Sequence, residues 1–233
     1  RVMQESAPSF GAQTYSIANP FLTPQARAQI SALLPPGTTT FQMDRQNIDF
    51  GVRGEDHRRE TWRMTGGPRG DLGGGWRYEL AGSHARFTSF YETRGNYVTA
   101  RLANAINAVV APASYSGSSF LLNSAGQRVV CAINADANPH NDDPACFPAD
   151  LFGQGRLAPQ SLAYFAHTSS RKQRNDQLIV AGHVAGDTRA FLILPGGPVG
   201  LVLGGEVRRE RQRSAFDALT ASGATFLNAI LAF

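Results

Sequence analysis

An all-β fold, an antiparallel segment of a transmembrane β-barrel, is predicted by three observations. Apolar and polar residues alternate with period two over long stretches, as they do when successive side chains point to opposite faces of a strand. Those stretches flank short, glycine-rich turns. The connection between the two turn regions, from about residue 91 to 171, is far longer than the loops of compact domains. Short turns on one side and long loops on the other are the asymmetry of membrane-spanning barrels.

Residues 19–34 read as a short helix, with Thr23 as its N-cap and Pro24 at its first position. A strand is expected at about 55–67, where Trp62, Met64 and Gly66 share one parity and Arg59, Thr61, Arg63 and Thr65 the other. The glycine-rich run from Gly66 to Gly75 predicts a turn at about 68–74. A second strand at about 75–90 sets Trp76, Tyr78, Leu80 and Gly82 against Arg77, Glu79, Ala81 and Ser83. Trp62, Trp76 and Tyr78 fit either an aromatic girdle at a membrane interface or the core of a soluble sandwich; the connection lengths favour the girdle. Within the long connection, Tyr97, Ala100, Leu102, Ala105, Ile106 and Val109 have helical spacing. A third strand is expected at about 172–194, with Leu178, Val180, Gly182 and Val184 on one face and the same parity continuing through Leu192 and Leu194. Pro195-Gly196-Gly197-Pro198 predicts the second turn, and a fourth strand is expected at about 198–212. These lengths exceed the ~5–6 residues of an ordinary strand. The even-numbered side chains from Leu178 to Val184 and the odd-numbered ones from Val199 to Val207 are expected to face lipid.

Composition narrows the function. The 233 residues carry 22 Lys+Arg against 18 Asp+Glu, a net charge of +4. The basic residues are interleaved with acids, as from Glu55 to Arg63, so no nucleic-acid partner is expected. No stretch approaches the ~18 apolar residues of a membrane helix, but a barrel strand needs only about ten alternating residues. No nucleophile elbow, zinc-protease motif, phosphate-binding loop or dinucleotide fingerprint is present, and the five histidines are scattered. The chain is therefore expected to be no enzyme and to need no cofactor.

The two cysteines, Cys131 and Cys146, lie in one polar segment. A local disulfide is favoured over a metal site, which implies an oxidising compartment. The same segment offers hard oxygens on Asn134, Asp136, Asn138, Asn141, Asp142 and Asp143, which suit Ca²⁺. It lacks the central glycine and terminal glutamate of an EF-hand, so turn formation is the preferred role and no metal is expected. Arg59, Arg63 and Arg77 share the polar parity and could meet an anionic substrate. A hydrated wall with paired charges, Arg77 beside Glu79 and Arg208 beside Glu206, is the preferred alternative.

Several stretches resemble TonB-dependent receptors. Leu194-Pro195-Gly196-Gly197-Pro198-Val199-Gly200-Leu201, together with Gly204-Gly205-Glu206-Val207-Arg208-Arg209-Glu210, is similar to a barrel hairpin of that family. So is Arg53-Gly54-Glu55-Asp56 through Arg59-Glu60-Thr61, with Gly70-Asp71-Leu72 and Trp76 after it. Cys131 to Asp136 and Asp142 to Cys146 resemble a cysteine-closed loop of the family. The resemblance reaches from about residue 19 to 228. It implies a barrel of about 22 strands around a plug, in the bacterial outer membrane, importing a scarce small-molecule ligand such as a siderophore or oligosaccharide. It also implies outer-membrane lipid as the surroundings and the TonB complex as partner, reached through the plug. Residues 1–233 then form part of the barrel domain, with periplasmic short turns, extracellular long loops, and the plug and remaining strands outside the chain; Arg59, Arg63 and Arg77 become possible ligand- or plug-facing residues. A secreted all-β binding or adhesion module is the alternative.

Overall fold

The computed structural model describes residues 2–4 and 10–226. In chain order, β1 (Val2–Gln4) and β2 (Gln13–Ser16) precede α1 (Pro24–Leu33), β3 (Thr40–Met43), β4 (Gly54–Gly66), β5 (Arg69–Gly73) and β6 (Trp76–Tyr97). Then come α2 (Thr99–Ile106), β7 (Ala108–Val110), β8 (Leu121–Leu122), β9 (Arg128–Cys131) and α3 (Pro159–Phe165). The chain continues through β10 (Ala166–Asp187), β11 (Ile193–Leu194), β12 (Gly197–Pro198), β13 (Gly200–Phe216) and α4 (Ala218–Ala221). Strand makes up 47% of the structure against 16% helix, so the fold is mainly antiparallel β as the alternation predicts. The described strands do not close into a barrel. No helix among the described residues is long and apolar enough to cross a membrane, which leaves crossing by strands unaddressed.

The chain divides into two compact units. One comprises residues 57–91 and 171–215 and holds most of the largest sheet. That sheet has the order β1-β4-β6-β10-β13, with β5 also paired to β6. Neighbours run antiparallel. Pro68 accepts a hydrogen bond from the Leu80 amide at 2.9 Å, and farther along the Thr65 hydroxyl meets Ser83 at 3.0 Å. Between β6 and β10, Leu80 approaches Gly182 and Arg86 pairs with Asp176. Between β10 and β13, His183 approaches Gly204 and Gln177 meets Glu210.

Both turns differ in detail from the sequence expectation. Residues 69–73, expected within a turn, extend the strand as β5 and pair with β6 in the register Arg69↔Glu79 and Asp71↔Arg77. The reversal comes at Gly73, Gly74 and Gly75, all with positive φ, a conformation that side chains with a Cβ adopt only with strain. Gly66-Gly67-Pro68 is a break within the strand instead. A Cβ on Gly67 would collide with the Leu80 carbonyl oxygen. In the second hairpin the long strand stops at Asp187, not at 194, so Leu192 and Leu194 do not continue its face. Thr188 ends it: its carbonyl accepts from the Phe191 and Leu192 amides, and its hydroxyl donates to the Leu192 carbonyl at 2.6 Å. A two-residue hairpin, Ile193↔Pro198 and Leu194↔Gly197, then reverses at Pro195-Gly196, where the turn is expected.

The other unit comprises residues 1–56, 92–170 and 216–233, of which 2–4, 10–56, 92–170 and 216–226 are described. Here the long connection, read as loop with one helix, is a folded body. Its core gathers Phe10, Tyr15, Tyr97, Leu102, Ala105, Ile106, Leu151 and Phe165. Helix α2 turns Leu102, Ala105 and Ile106 inward, the i, i+3, i+4 spacing of one helix face. Phe10 packs on Tyr97 at 4.5 Å between ring centroids and edge-on to Phe50 at 4.8 Å. Strands β7, β9 and β8 form a small sheet that buries Val129 and Val130. Helix α1 starts as expected: the Thr23 hydroxyl accepts from the Ala26 amide at 3.1 Å and Pro24 stands in the first turn.

Candidate functional site

The largest sheet has two unlike faces, and the apolar one carries the candidate site. Trp62 packs edge-on to His84, 5.0 Å between centroids, so the even-numbered side chains of β4 and β6 share a face. A Cβ on Gly186 would run into the Trp76 ring, and one on Gly182 would lie 3.1 Å from a Leu80 methyl, which brings the even positions of β10 to the same face. The Gln177–Glu210 hydrogen bond at 2.8 Å joins an odd position of β10 to an even one of β13 on the opposite face. The odd positions of β13, Leu201, Leu203, Gly205 and Val207, therefore lie with Leu178, Val180 and Val184. This is the grouping that the alternation predicts.

Nothing in this unit covers that face. Met64 is 72% exposed, Val207 74% and Leu203 80%. Among the described residues, every buried apolar side chain belongs to the other unit. A soluble monomer rarely exposes so continuous an apolar patch, and such patches mark membrane or partner contact.

The opposite face is polar. Arg63 donates to Gln177 at 3.3 Å, and Gln177 donates onward to Glu210, so one chain of side chains crosses from β4 to β13. Arg59 lies over the Tyr91 ring at 5.4 Å and contacts His57 Nδ1 at 3.2 Å, while Arg171 lies 4.9 Å from the same ring. Arg77 stands opposite Asp71 near the glycine turn, roughly 26 Å along the strand direction from Arg63. The three arginines share a face, as expected, but do not converge on one point. Arg208 pairs with Glu206 at 3.1 Å as expected, whereas Arg77 makes no ion pair among the described residues.

Cys131 and Cys146 form a disulfide, with Cα atoms 6.2 Å apart. Both cysteines are 0% exposed and belong to the core cluster, so the bridge fastens a packed interior and not a solvated loop. The polarity of the residues between them concealed this, because Leu102, Ala105 and Phe165 come from distant segments. The acidic segment is tied into its own turns. Asp143 accepts from the Ala145 amide and from the Tyr164 hydroxyl at 2.6 Å, and its backbone exchanges two 2.7 Å hydrogen bonds with the Asn134 side chain. Burial and the Asp143 contact push the Tyr164 hydroxyl up to about 12. Asp136 accepts from the Asn138 amide and the Asn141 side chain, and with Asp142 it borders a cavity of ≈ 370 Å³. Among the described residues, no group of three or more His, Cys, Asp or Glu side chains is placed to hold a metal ion.

Two polar clusters escaped sequence reasoning because their partners are scattered. Arg45 forms a bidentate pair with Asp49 at 2.6 and 2.7 Å and donates to the Gly153 carbonyl. The Arg45 hydrogen bonds hold the Asp49 carboxyl below the usual range. Asp217 caps α4 by accepting from the Thr220 amide at 3.0 Å, and accepts from the Ser170 amide at 2.8 Å and from His167 at 2.9 Å. Burial alone would raise this carboxyl, but the hydrogen bonds outweigh it and hold it well below the carboxylate range. The i, i+4 spacing of Arg45 and Asp49 and the Asp217-x-x-Thr220 cap are the local signals that were available.

No family model matches the sequence, and neither a curated protein nor a solved structure matches the chain.

Proposed function

We propose that this chain is part of the outer-membrane barrel wall of a TonB-dependent uptake receptor. The observation that carries the reading is the uncovered apolar face. It extends over Met64 to Leu72, Trp76 to Gly82, Leu178 to Gly186 and Leu201 to Val207 in adjacent strands. Each stretch is roughly seven to nine residues, close to what a tilted strand needs to cross the hydrocarbon layer. Trp76 and Tyr78 border it near the glycine turn, where an interfacial aromatic belt belongs. The alternative of a sandwich core would require a second extended sheet against this face, and the unit's other sheet among the described residues is only the two-residue pairing of β11 with β12.

In this reading the short turns are periplasmic, and the disulfide-bearing unit belongs to the extracellular portion, where oxidising conditions keep Cys131–Cys146 closed. The polar face lines the lumen. Arg59, Arg63 and Arg77 then meet a plug or an anionic small-molecule ligand, such as a siderophore or oligosaccharide, and TonB acts through the plug. The role assigned to the chain is that of a wall and a binding surface, without bond-making chemistry. Expression from its own gene in a Gram-negative host tests it: the product should fractionate with the outer membrane and require detergent for extraction. Recovery as a soluble monomer from the periplasm or medium would overturn the reading in favour of a secreted binding module.

A further inference from the structure

The apolar face ends toward the same side in all four long strands, and the positions beyond its end are rich in cations. Beyond Trp62 on β4 come Glu60 and Arg58; beyond His84 on β6 comes Arg86. Beyond Leu178 on β10 come Asp176, Arg174 and Lys172, and beyond Val207 on β13 come Arg209, Arg211 and Arg213. Cross-strand contacts tie these positions together. Arg86 pairs with Asp176 at 2.6 Å and lies over the Trp62 ring at 5.6 Å. The two carboxylates are already engaged, Glu60 with Arg58 at 2.7 Å and Asp176 with Arg86 and Arg174. Lys172, Arg209, Arg211 and Arg213 have no carboxylate partner among the described residues. They border two adjoining depressions, one of ≈ 930 Å³ and one of ≈ 240 Å³. Lys172 reaches over the Phe90 ring, 5.9 Å from its centroid. The opposite border of the face, at Trp76 and Leu72, carries no cation on the same parity.

We infer that this belt, formed by Lys172, Arg209, Arg211 and Arg213, binds the anionic phosphate headgroups of the lipid leaflet beside it. The inference rests on the membrane reading and specifies which lipid that wall prefers. Charge complementarity selects the occupant. Uncompensated cations at one border of an apolar band meet the layer where lipid phosphates lie. Guanidinium groups suit phosphate because they donate two parallel hydrogen bonds. A border made only for water would more often pair its charges, as Arg208 and Glu206 do on the other face.

The test is co-flotation of the full chain with vesicles of phosphatidylcholine alone or mixed with phosphatidic acid, over a salt series. The wild type should bind both and favour the anionic vesicles by roughly tenfold or more at low salt, with inorganic phosphate failing to compete. The variant K172Q/R209Q/R211Q/R213Q should keep its binding to neutral vesicles, which reports an intact fold, and lose the anionic preference. R211Q/R213Q, a milder change, should lose part of it, and Arg208→Gln on the opposite face should lose none. Equal binding of the wild type to both vesicles would overturn the headgroup inference and leave the membrane reading standing. Preference retained in the quadruple variant would do the same. Absence of binding to either vesicle would remove the membrane reading and the inference with it.

Discussion

In the unit that contains α2, α3 and the disulfide, a set of large apolar side chains points inward, and Leu102, Val129, Val130, Cys131 and Phe165 are fully buried. In the unit of the long hairpins, Trp62, Met64, Leu80, Leu178, Leu201 and Leu203 point outward. The first gains its stability by removing apolar area from water, at about 25 cal/mol per Å². The second cannot gain in this way by itself. Its strands are held by backbone hydrogen bonds and cross-strand pairs, and its apolar face becomes stabilising only when lipid or a partner replaces water. One chain thus contains a body that carries its own core and a sheet whose apolar face is left uncovered.

The largest expected effect separates the two. Phe165→Ala empties a position packed by Phe10 and Phe50 and should cost roughly 3–5 kcal/mol. Chemical unfolding monitored by the near-ultraviolet dichroism of the tyrosines reads it. A loss below about 1 kcal/mol would mean that this unit is not stabilised by burial in the ordinary way.

Leu203→Arg addresses the wall. If the face meets lipid, the substitution should cost roughly 2–4 kcal/mol near the bilayer midplane, while Val202→Arg on the polar face should cost far less. Folding yields into vesicles compare the two. Equal yields would break the distinction between faces. Opening the disulfide by Cys131→Ala with Cys146→Ala should remove roughly 3 kcal/mol in the chain-entropy description of a loop of this length. Thermal melts with and without reductant measure this. An unchanged melt in the double variant would show that the bridge adds nothing to the packed core.

Legibility from sequence divides along the same line. In the wall, residues adjacent in sequence determine the faces, so alternation revealed the four long strands, the grouping of Leu178 with Leu201, and the polar set Arg59, Arg63 and Arg77. The ends were less legible. Gly66-Gly67-Pro68 looked like a turn but is a break inside a strand, and Thr188 stopped β10 through hydrogen bonds that no periodicity encodes. In the body, Phe10, Tyr97, Cys131 and Phe165 meet from segments far apart in the chain. No local pattern shows that convergence, so a folded core was read as loop, even though the Cys131–Cys146 pairing and the Thr23 cap inside that unit were legible from local chemistry.

The smallest expected effect tests whether the body depends on polar as well as apolar contacts. Asp217 joins two elements: it caps α4 through Thr220, and in β10 it accepts from the amide of Ser170 and meets His167. Its carboxyl is held well below the ordinary value by those hydrogen bonds, against burial that would raise it. A carboxyl with a depressed folded-state pKa stabilises the fold fully above its unfolded value, ~3.9, and loses that contribution as pH falls through the lower folded value. Asp217→Asn keeps an acceptor for the cap but no charge, and should cost about 1 kcal/mol at neutral pH. As the pH is lowered beneath the ordinary carboxylate range, the wild type protonates Asp217 and the difference should shrink. Paired unfolding curves of the two proteins at neutral and acidic pH measure this directly. A difference that stays constant down to strong acid would mean that the carboxylate charge contributes nothing to the junction of α4 with β10.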